Sequence, residues 1–440
     1  MKFRLLLWGF VGLSLVGCRK SEEVPVAPQS EKRVSFVRGY DEALALAERS
    51  IALVDGVQAT RAARPRTIAS GECVVIEGTR ASGGASDTLL YVFNFADDAG
   101  FSIIAADASA DPLIAVTEKG RYVYGEATGV EPFDAYMAQA ISSVTPPGSG
   151  PDIPLIPDPR PRYYEIEYDT DVTVGPLLQT KWGQGGIYGS YCPNHIAGCV
   201  ATAIAQLLAF HEHPSQMILS VDMGTYQRRD TVALDWKTIK THIVETELFN
   251  CSCDWRSHVP ISLLMREIGE RVNMRYYDFV SGAYYVDTSS ALSSFGYRLE
   301  TPWQSSSSTD VFRALNAGCP GLVNGFLNGG TGGHMWVVDG YVDYKCGVEY
   351  YEWTVTEPGI TDGDLAFIPE GRYLVISSTV VERQLLHFNW GWDGNCDGYF
   401  SFGSYAPSNA YESEYDDPNQ SNEFQGSLGR DVEFLLNVHK

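Results

Sequence analysis

GCVATAIAQLLAFHEHP, residues 198–214, opens on Gly-Cys and runs at once into a helix pattern. Ala201, Ile204, Ala205 and Leu208 recur at helical spacing, and Pro214 stops the run. The spacing predicts a buried helix with Cys199 in its first turn. Free backbone N–H groups and the positive end of the helix dipole favour a thiolate there. A small buried cysteine that only packs would show the same pattern, so the helix alone leaves both readings open.

The chain has 440 residues, too many for one compact core, so two domains are expected. With 44% hydrophobic and 20% charged residues it reads as globular. A net charge of −23 excludes nucleic acid as a partner, since neutralising phosphates takes clustered Lys and Arg. Lys2 and Arg4, a short apolar core from Leu5 to Val16, and Leu-Val-Gly-Cys at 15–18 read as a signal peptide over residues 1–17. The ending resembles a bacterial lipobox. That implies a lipid on Cys18, export, and a precursor anchored to the bacterial outer membrane or cell surface. Nine cysteines, with no CxxC pair, read as mostly structural or free.

After a polar tether, Asp41 to Leu53 predicts a helix. Residues 61–70 read as basic and irregular. Strand patterns follow at 88–95, 101–105 and 112–117, with a Gly-containing hairpin turn at 97–100, then a helix near 133–144. This unit, 18–145, reads as a small α+β domain. Seven prolines between 146 and 161 then mark an extended, exposed connector over 146–164, the clearest boundary in the chain. Within it Arg162–Tyr163 is free of proline and open to a trypsin-like protease, and the apolar pair Leu155-Ile156 offers a site for a self-cut. The domain at 165–440 puts helices first (199–211, 261–271, 310–317) and strands second (321–324, 335–341, 350–354, 373–377, 385–390, 399–402). That order is the mark of a segregated α+β fold.

Three further stretches bear on Cys199. Gly332-Gly333-His334-Met335 puts a histidine at the start of an apolar strand behind a Gly-rich loop, 135 residues after Cys199. In His387-Phe388-Asn389-Trp390-Gly391-Trp392, the Asn389 amide oxygen can accept the histidine's far N–H, and the Trp390 indole can shield a thiolate–imidazolium pair. In Lys181-Trp182-Gly183-Gln184, the Gln184 amide, with the Cys199 N–H, can hold the oxyanion of a tetrahedral intermediate.

Trp-x-Gln, Cys192-Pro193, Gly-Cys-Val-Ala-Thr-Ala-x-Ala-Gln, Gly-His and Asn-Trp-Gly-Trp together resemble the streptopain family of secreted cysteine endopeptidases, in the papain-like clan. Residues 264–266 and 281–284 resemble the family's segment between nucleophile and histidine, and 91–117 its inhibitory propeptide. The resemblance implies a papain-like catalytic domain in two parts, helical and antiparallel sheet, behind a small α+β propeptide that inhibits in cis. It implies Cys199 as nucleophile, His334 as base and then acid, Gln184 as oxyanion donor, and Asn389 and Trp390 as supports. Gly333, Ser281 and Gly282 would bind protein or peptide substrates, with no cofactor and no metal. Residues 344–386, with Cys346 and an acidic turn at 361–364, form an insertion that departs from the family and is placed to overhang the cleft.

Two rival readings remain. Cys192, His195, Cys199, His211 and His213 are residue types that bind zinc, but His211 and His213 point to different helix faces. A catalytically silent, peptidase-like surface lipoprotein that only binds is the other.

Overall fold

The computed structural model describes residues 35–56, 65–75, 88–143, 160–240, 255–304, 308–326, 333–357, 370–401 and 432–440. The signal peptide, Cys18, residues 146–159 with Leu155-Ile156, and the acidic turn at 361–364 lie outside them. Helix α1 (Tyr40–Gly56) buries Ala43, Leu46, Ala47, Leu53 and Val54 on one stripe, as the spacing predicts. It packs on strands β1 (Ile68–Val75), β2 (Thr88–Phe95), β3 (Phe101–Ala105) and β4 (Leu113–Thr117), and helix α2 (Glu131–Ser143) follows. Strands β2 to β4 are buried along their whole length. β1 escapes the sequence reading because its residues do not alternate, and it lies exposed with Val74 its one buried residue.

From β5 (Arg160–Val174) the chain gives helices α3 (Cys199–His211), α4 (Trp236–Lys240), α5 (Trp255–Arg271), α6 (Asp287–Ser294) and α7 (Ser308–Asn316). Strands β6 (Gly321–Phe326), β7 (Gly333–Glu357), β8 (Glu370–Asn389), β9 (Gly398–Ser401) and β10 (Glu433–Leu435) come after. The fold is mixed α+β, helices before strands. α3 is buried on every side from Val200 to Ala209, and shares one core with Leu263, Leu264 and Ile268 of α5 and Met335 and Val337 of β7.

All ladders of the main sheet are antiparallel, in the order β1-β2-β3-β4-β9-β8-β7-β6-β10, with β5 along β7. The two halves that differ so clearly in sequence texture therefore share one sheet. β4 meets β9 through Thr117↔Gly398, Val116↔Tyr399 and Ala115↔Phe400. A Cβ on residue 398 would stand 2.2 Å from the Val116 carbonyl oxygen, so glycine sets this approach. Phe101, Phe133 and Tyr136 of the first half pack in one cluster with Trp336, Phe388, Trp390 and Phe400 of the second.

The short strands expected at 335–341, 350–354, 373–377 and 385–390 are parts of one long ribbon, β7 and β8, paired from Val337↔Asn389 to Glu357↔Glu370. Tyr344, Cys346 and Val348 of this ribbon bury against Tyr163 and the α1 side of the first half. The base of the 344–386 insertion thus packs on the first half, while Val375, Ile376 and Val380 farther along are exposed.

The exposed connector expected over 146–164 differs at its end, where the chain already runs as strand β5 from Arg160. The Arg162–Tyr163 bond, expected to be open, is held there. Tyr163 is buried, its N–H donates to the Ala108 carbonyl at 2.8 Å, and Arg162 pairs with Glu42 at 2.8 Å. Behind it the fully buried Arg38 guanidinium donates to the carbonyls of Ala105, Asp107, Ala110 and Tyr163 at 2.7, 2.7, 2.9 and 3.2 Å. Arg38→Met strands those carbonyls and should cost on the order of 3 kcal/mol. The variant should melt earlier, and trypsin should then release a fragment beginning at Tyr163 that the wild type withholds. A wild-type chain cut there as fast as the variant would show that β5 does not guard the bond.

Candidate active site

Cys199 is the first residue of α3. Gly198 precedes it at φ 88, a left-handed conformation, and a Cβ there would meet the Ser281 carbonyl oxygen at 2.9 Å. Glycine is thus required for the hairpin Arg275–Tyr276/Ser281–Gly282 to stand beside the nucleophile position. Ser281 is buried, its hydroxyl donating to the Ile196 carbonyl at 2.7 Å, and Asn194 donates to it at 2.9 Å. Gly282 faces open space on its Cβ side, and Gly333 is exposed.

Gln184 is tied by its backbone to the segment that leads into Cys199. Its carbonyl accepts the Ala197 N–H at 2.8 Å, two residues ahead of Cys199. Its side-chain Nε2 is buried and has no hydrogen-bond partner among the described residues. From the sheet, β7 brings His334, and the N–H of its neighbour Met335 is directed at the Cys199 sulfur, as are those of Val200 and Cys199 itself.

The histidine is not engaged with the sulfur. Its Nε2–H donates to the Trp390 backbone carbonyl at 3.0 Å, which leaves Nδ1 as the bare nitrogen of the neutral ring. This corrects the expected roles of Asn389 and Trp390. Asn389 accepts from Gln206 Nε2 at 2.9 Å and from the Gly391 N–H at 3.1 Å, and donates to the Thr180 carbonyl at 2.9 Å. Trp390 supplies its carbonyl, while its indole donates to the Cys396 carbonyl at 3.0 Å and packs on Trp336. The rings flanking His334 are Trp392, at 4.8 Å between centroids, and Trp336, at 6.2 Å and nearly parallel.

Sequence reasoning missed the residues that join these pieces. Gln206 lies seven residues after Cys199, two helical turns on and so on the same face. Its carbonyl oxygen accepts the Trp182 N–H at 3.1 Å while its amide donates to Asn389. Thr202 adds a bond to the Gly183 carbonyl at 3.2 Å. The signal was present: two polar residues in a helix otherwise fully apolar from Val200 to Ala209. Also missed was His387, buried, with Nδ1 2.6 Å from Asp339 and Nε2 3.5 Å from Glu118 of the first half. Burial opposes its charge, but Asp339 and Glu118 outweigh that and push the ring up to about 10. The five zinc-type residues form no metal-binding group among the described residues.

Two shifts oppose the expected thiolate–imidazolium pair in this full-length form. Burial pushes the Cys199 thiol up; the three N–H donors offset this only in part, and Glu131 at the start of α2 adds to the rise. Burial pushes His334 down to about 4, against a small opposing effect of the Trp390 carbonyl. Both shifts favour the neutral forms at pH 7.

Residues 182–400 match the Peptidase C10 family, and residues 30–136 match the Spi protease inhibitor. Streptopain of Streptococcus pyogenes is 21% identical over 405 residues, 84% of each chain. A thiol protease/hemagglutinin of Porphyromonas gingivalis is 22% identical over 355 residues, 71% of this chain and 34% of that protein. Among solved structures, a prointerpain A fragment of Prevotella intermedia covers 84% of this chain and 98% of its own at 21% identity, with a TM-score of 0.46.

Alkylation of Cys199 in the full-length chain, followed by mass spectrometry of its peptide, should stay slow at pH 7. It should accelerate only above the ordinary thiol range of about 8.5. His334→Ala should leave that profile in place, since the ring does not hold the sulfur here. A half-maximal rate below about pH 7 would mean that the pair is already formed.

Proposed function

We propose, for a chain whose residues 182–400 belong to the Peptidase C10 family of cysteine proteases, an exported endopeptidase made as a zymogen. One observation carries the reading. Cys199 opens α3 with the backbone of Met335, the neighbour of His334, beside its sulfur, and the Gln184 backbone is bonded to Ala197 two residues ahead of it, which supports these three as the catalytic groups.

In the working enzyme the His334 ring turns from the Trp390 carbonyl to the sulfur and takes its proton. The thiolate attacks the scissile carbonyl carbon, and the oxyanion is held by the Gln184 amide and the Cys199 N–H. The C–N bond then breaks as the imidazolium gives its proton to the leaving amine, and a thioester remains. His334 next takes a proton from water; hydroxide attacks the thioester, and the thiolate leaves. Asn389 acts through Gln206 and Gly391, fixing the segment whose Trp390 carbonyl parks the ring. Substrate lies along Ser281, Gly282 and Gly333.

The match of residues 30–136 to a protease inhibitor supports residues 18–145 as the propeptide, with the first half inhibiting the second in cis. A lipid on Cys18 would then anchor the precursor through its inhibitory half, and a cut in the proline-rich stretch 146–159 would free the enzyme from the membrane. The silent-binder alternative is disfavoured by the presence of every group the chemistry needs.

Cys199→Ala and His334→Ala should each abolish peptide hydrolysis while leaving the melting temperature within a few degrees; hydrolysis by purified Cys199→Ala would sink the assignment. In fractionated cells, full-length protein should sit with membranes and the shorter form in the soluble fraction. Cys18→Ser should move the full-length form to the soluble fraction as well. A short form still on membranes in Cys18→Ser cells would exclude release by this route.

A further inference from the structure

His387 takes no part in the proposed chemistry, yet it is buried, charged and contacted from the other half of the chain. The contact comes from the segment just past β4. Glu118 donates its N–H to the Asp397 carbonyl at 2.8 Å, and the Lys119 carbonyl accepts the Cys396 N–H at 3.1 Å. The Lys119 ammonium donates to the Asp393 carbonyl at 3.0 Å. The backbone thus continues the β4–β9 ladder onto the loop after Trp392, and delivers the Glu118 side chain, 3% exposed, into the second half.

There the carboxylate stands between two cations. It pairs directly with the Lys181 ammonium, and its other oxygen lies 3.5 Å from His387 Nε2. That nitrogen is buried and makes no hydrogen bond, so Glu118 meets it as a charge. On its far side His387 is fixed by Asp339, whose second oxygen accepts the Leu178 N–H at 3.0 Å. Burial would raise the Glu118 carboxyl, but His387 and Lys181 outweigh it and hold it below the usual carboxylate range.

The positions of the two cations matter. Lys181 lies three residues before Gln184, on the oxyanion arm, and His387 two residues before Asn389, on the strand that leads to the Trp390 carbonyl. One carboxylate of the first half therefore grips both arms of the site at once.

We propose that the recess between Lys181 and His387 is a carboxylate-binding site of the peptidase half. Its ligand is the acidic side chain that closes a strand added to β9. Glu118, filling it here, latches the inhibitory half in place and the two arms in their resting arrangement. The proposal rests on the reading of the first half as an inhibitor. A buried charge that loses its partner is costly, so losing Glu118 weakens the docked state far more than losing an exposed pair would.

The test uses the full-length chain as wild type, Glu118→Gln, Lys181→Met and the double variant. Two rates are followed: conversion to the shorter form, and labelling of Cys199 by a fluorescent epoxysuccinyl probe. Each single substitution should raise both rates at least tenfold. The double variant should be no faster than the faster single, because both act on one contact. Lys181→Met, at a partly exposed side chain, keeps the test decisive if Glu118→Gln does not fold. Wild-type rates in the folded single variants would overturn the latch, and so would effects that multiply in the double, which indicate general loosening. Processed enzyme from wild type and Glu118→Gln should have the same kcat/KM, since residue 118 is then gone. If neither hydrolyses peptide, the peptidase reading has failed, and the labelling rates still decide the latch.

Discussion

The site depends on one buried amide. Gln206 accepts from the Trp182 N–H and donates to Asn389, so the oxyanion arm and the strand end bearing Trp390 are both measured from the helix that starts at Cys199. Ile204, Leu207 and Leu208, all fully buried, hold that helix in the core and contribute roughly 1.5–3 kcal/mol each. Gln206 belongs to the same packed helix, so its amide has almost no freedom to seek other partners. An unpaired amide there would cost about 1–3 kcal/mol, which commits the neighbouring segments to meet it. Hydrophobic burial supplies the stability, and the polar residue supplies the position.

The chemistry is held off by the same burial. A thiol pushed up and an imidazole pushed down to about 4 favour two neutral groups, and the ring is satisfied by the Trp390 carbonyl. Ionising the pair requires the ring to rotate and the surroundings to supply more polarity than the full-length chain allows. Both requirements concern the contact with the first half: Glu131 near the sulfur, and Phe133 packed on Phe400 and Tyr136 between the Ile114 and Ser401 carbonyls.

Local rules reached far along this chain. Periodicity gave α3 to the residue and most of α1, α2 and α7. What local rules could not reach was pairing at long range. β1 is exposed and lacks alternation, and β5 is crowded with charge, so their pairing with β2 and β7 was not legible in either stretch. Asn389 carries the right atoms to hold the histidine, yet Gln206 claims them, and a backbone carbonyl, invisible in any motif, holds the ring instead. Glu118 and His387 lie 269 residues apart, and nothing in either stretch announces the other.

The shared sheet has a consequence for the proposed processing. While β4 is in place, the N–H and C=O groups of Gly398, Tyr399 and Phe400 are paired and the aromatic side chains beneath them are covered. Peeling β4 away turns β9 into a raw margin of sheet, with unspent hydrogen bonds above an oily floor. Such a margin recruits any extended chain that reaches it, another copy of the enzyme included. The first half thus also covers that margin, and on the proposed release of the peptidase half the bared edge of β9 would favour self-association.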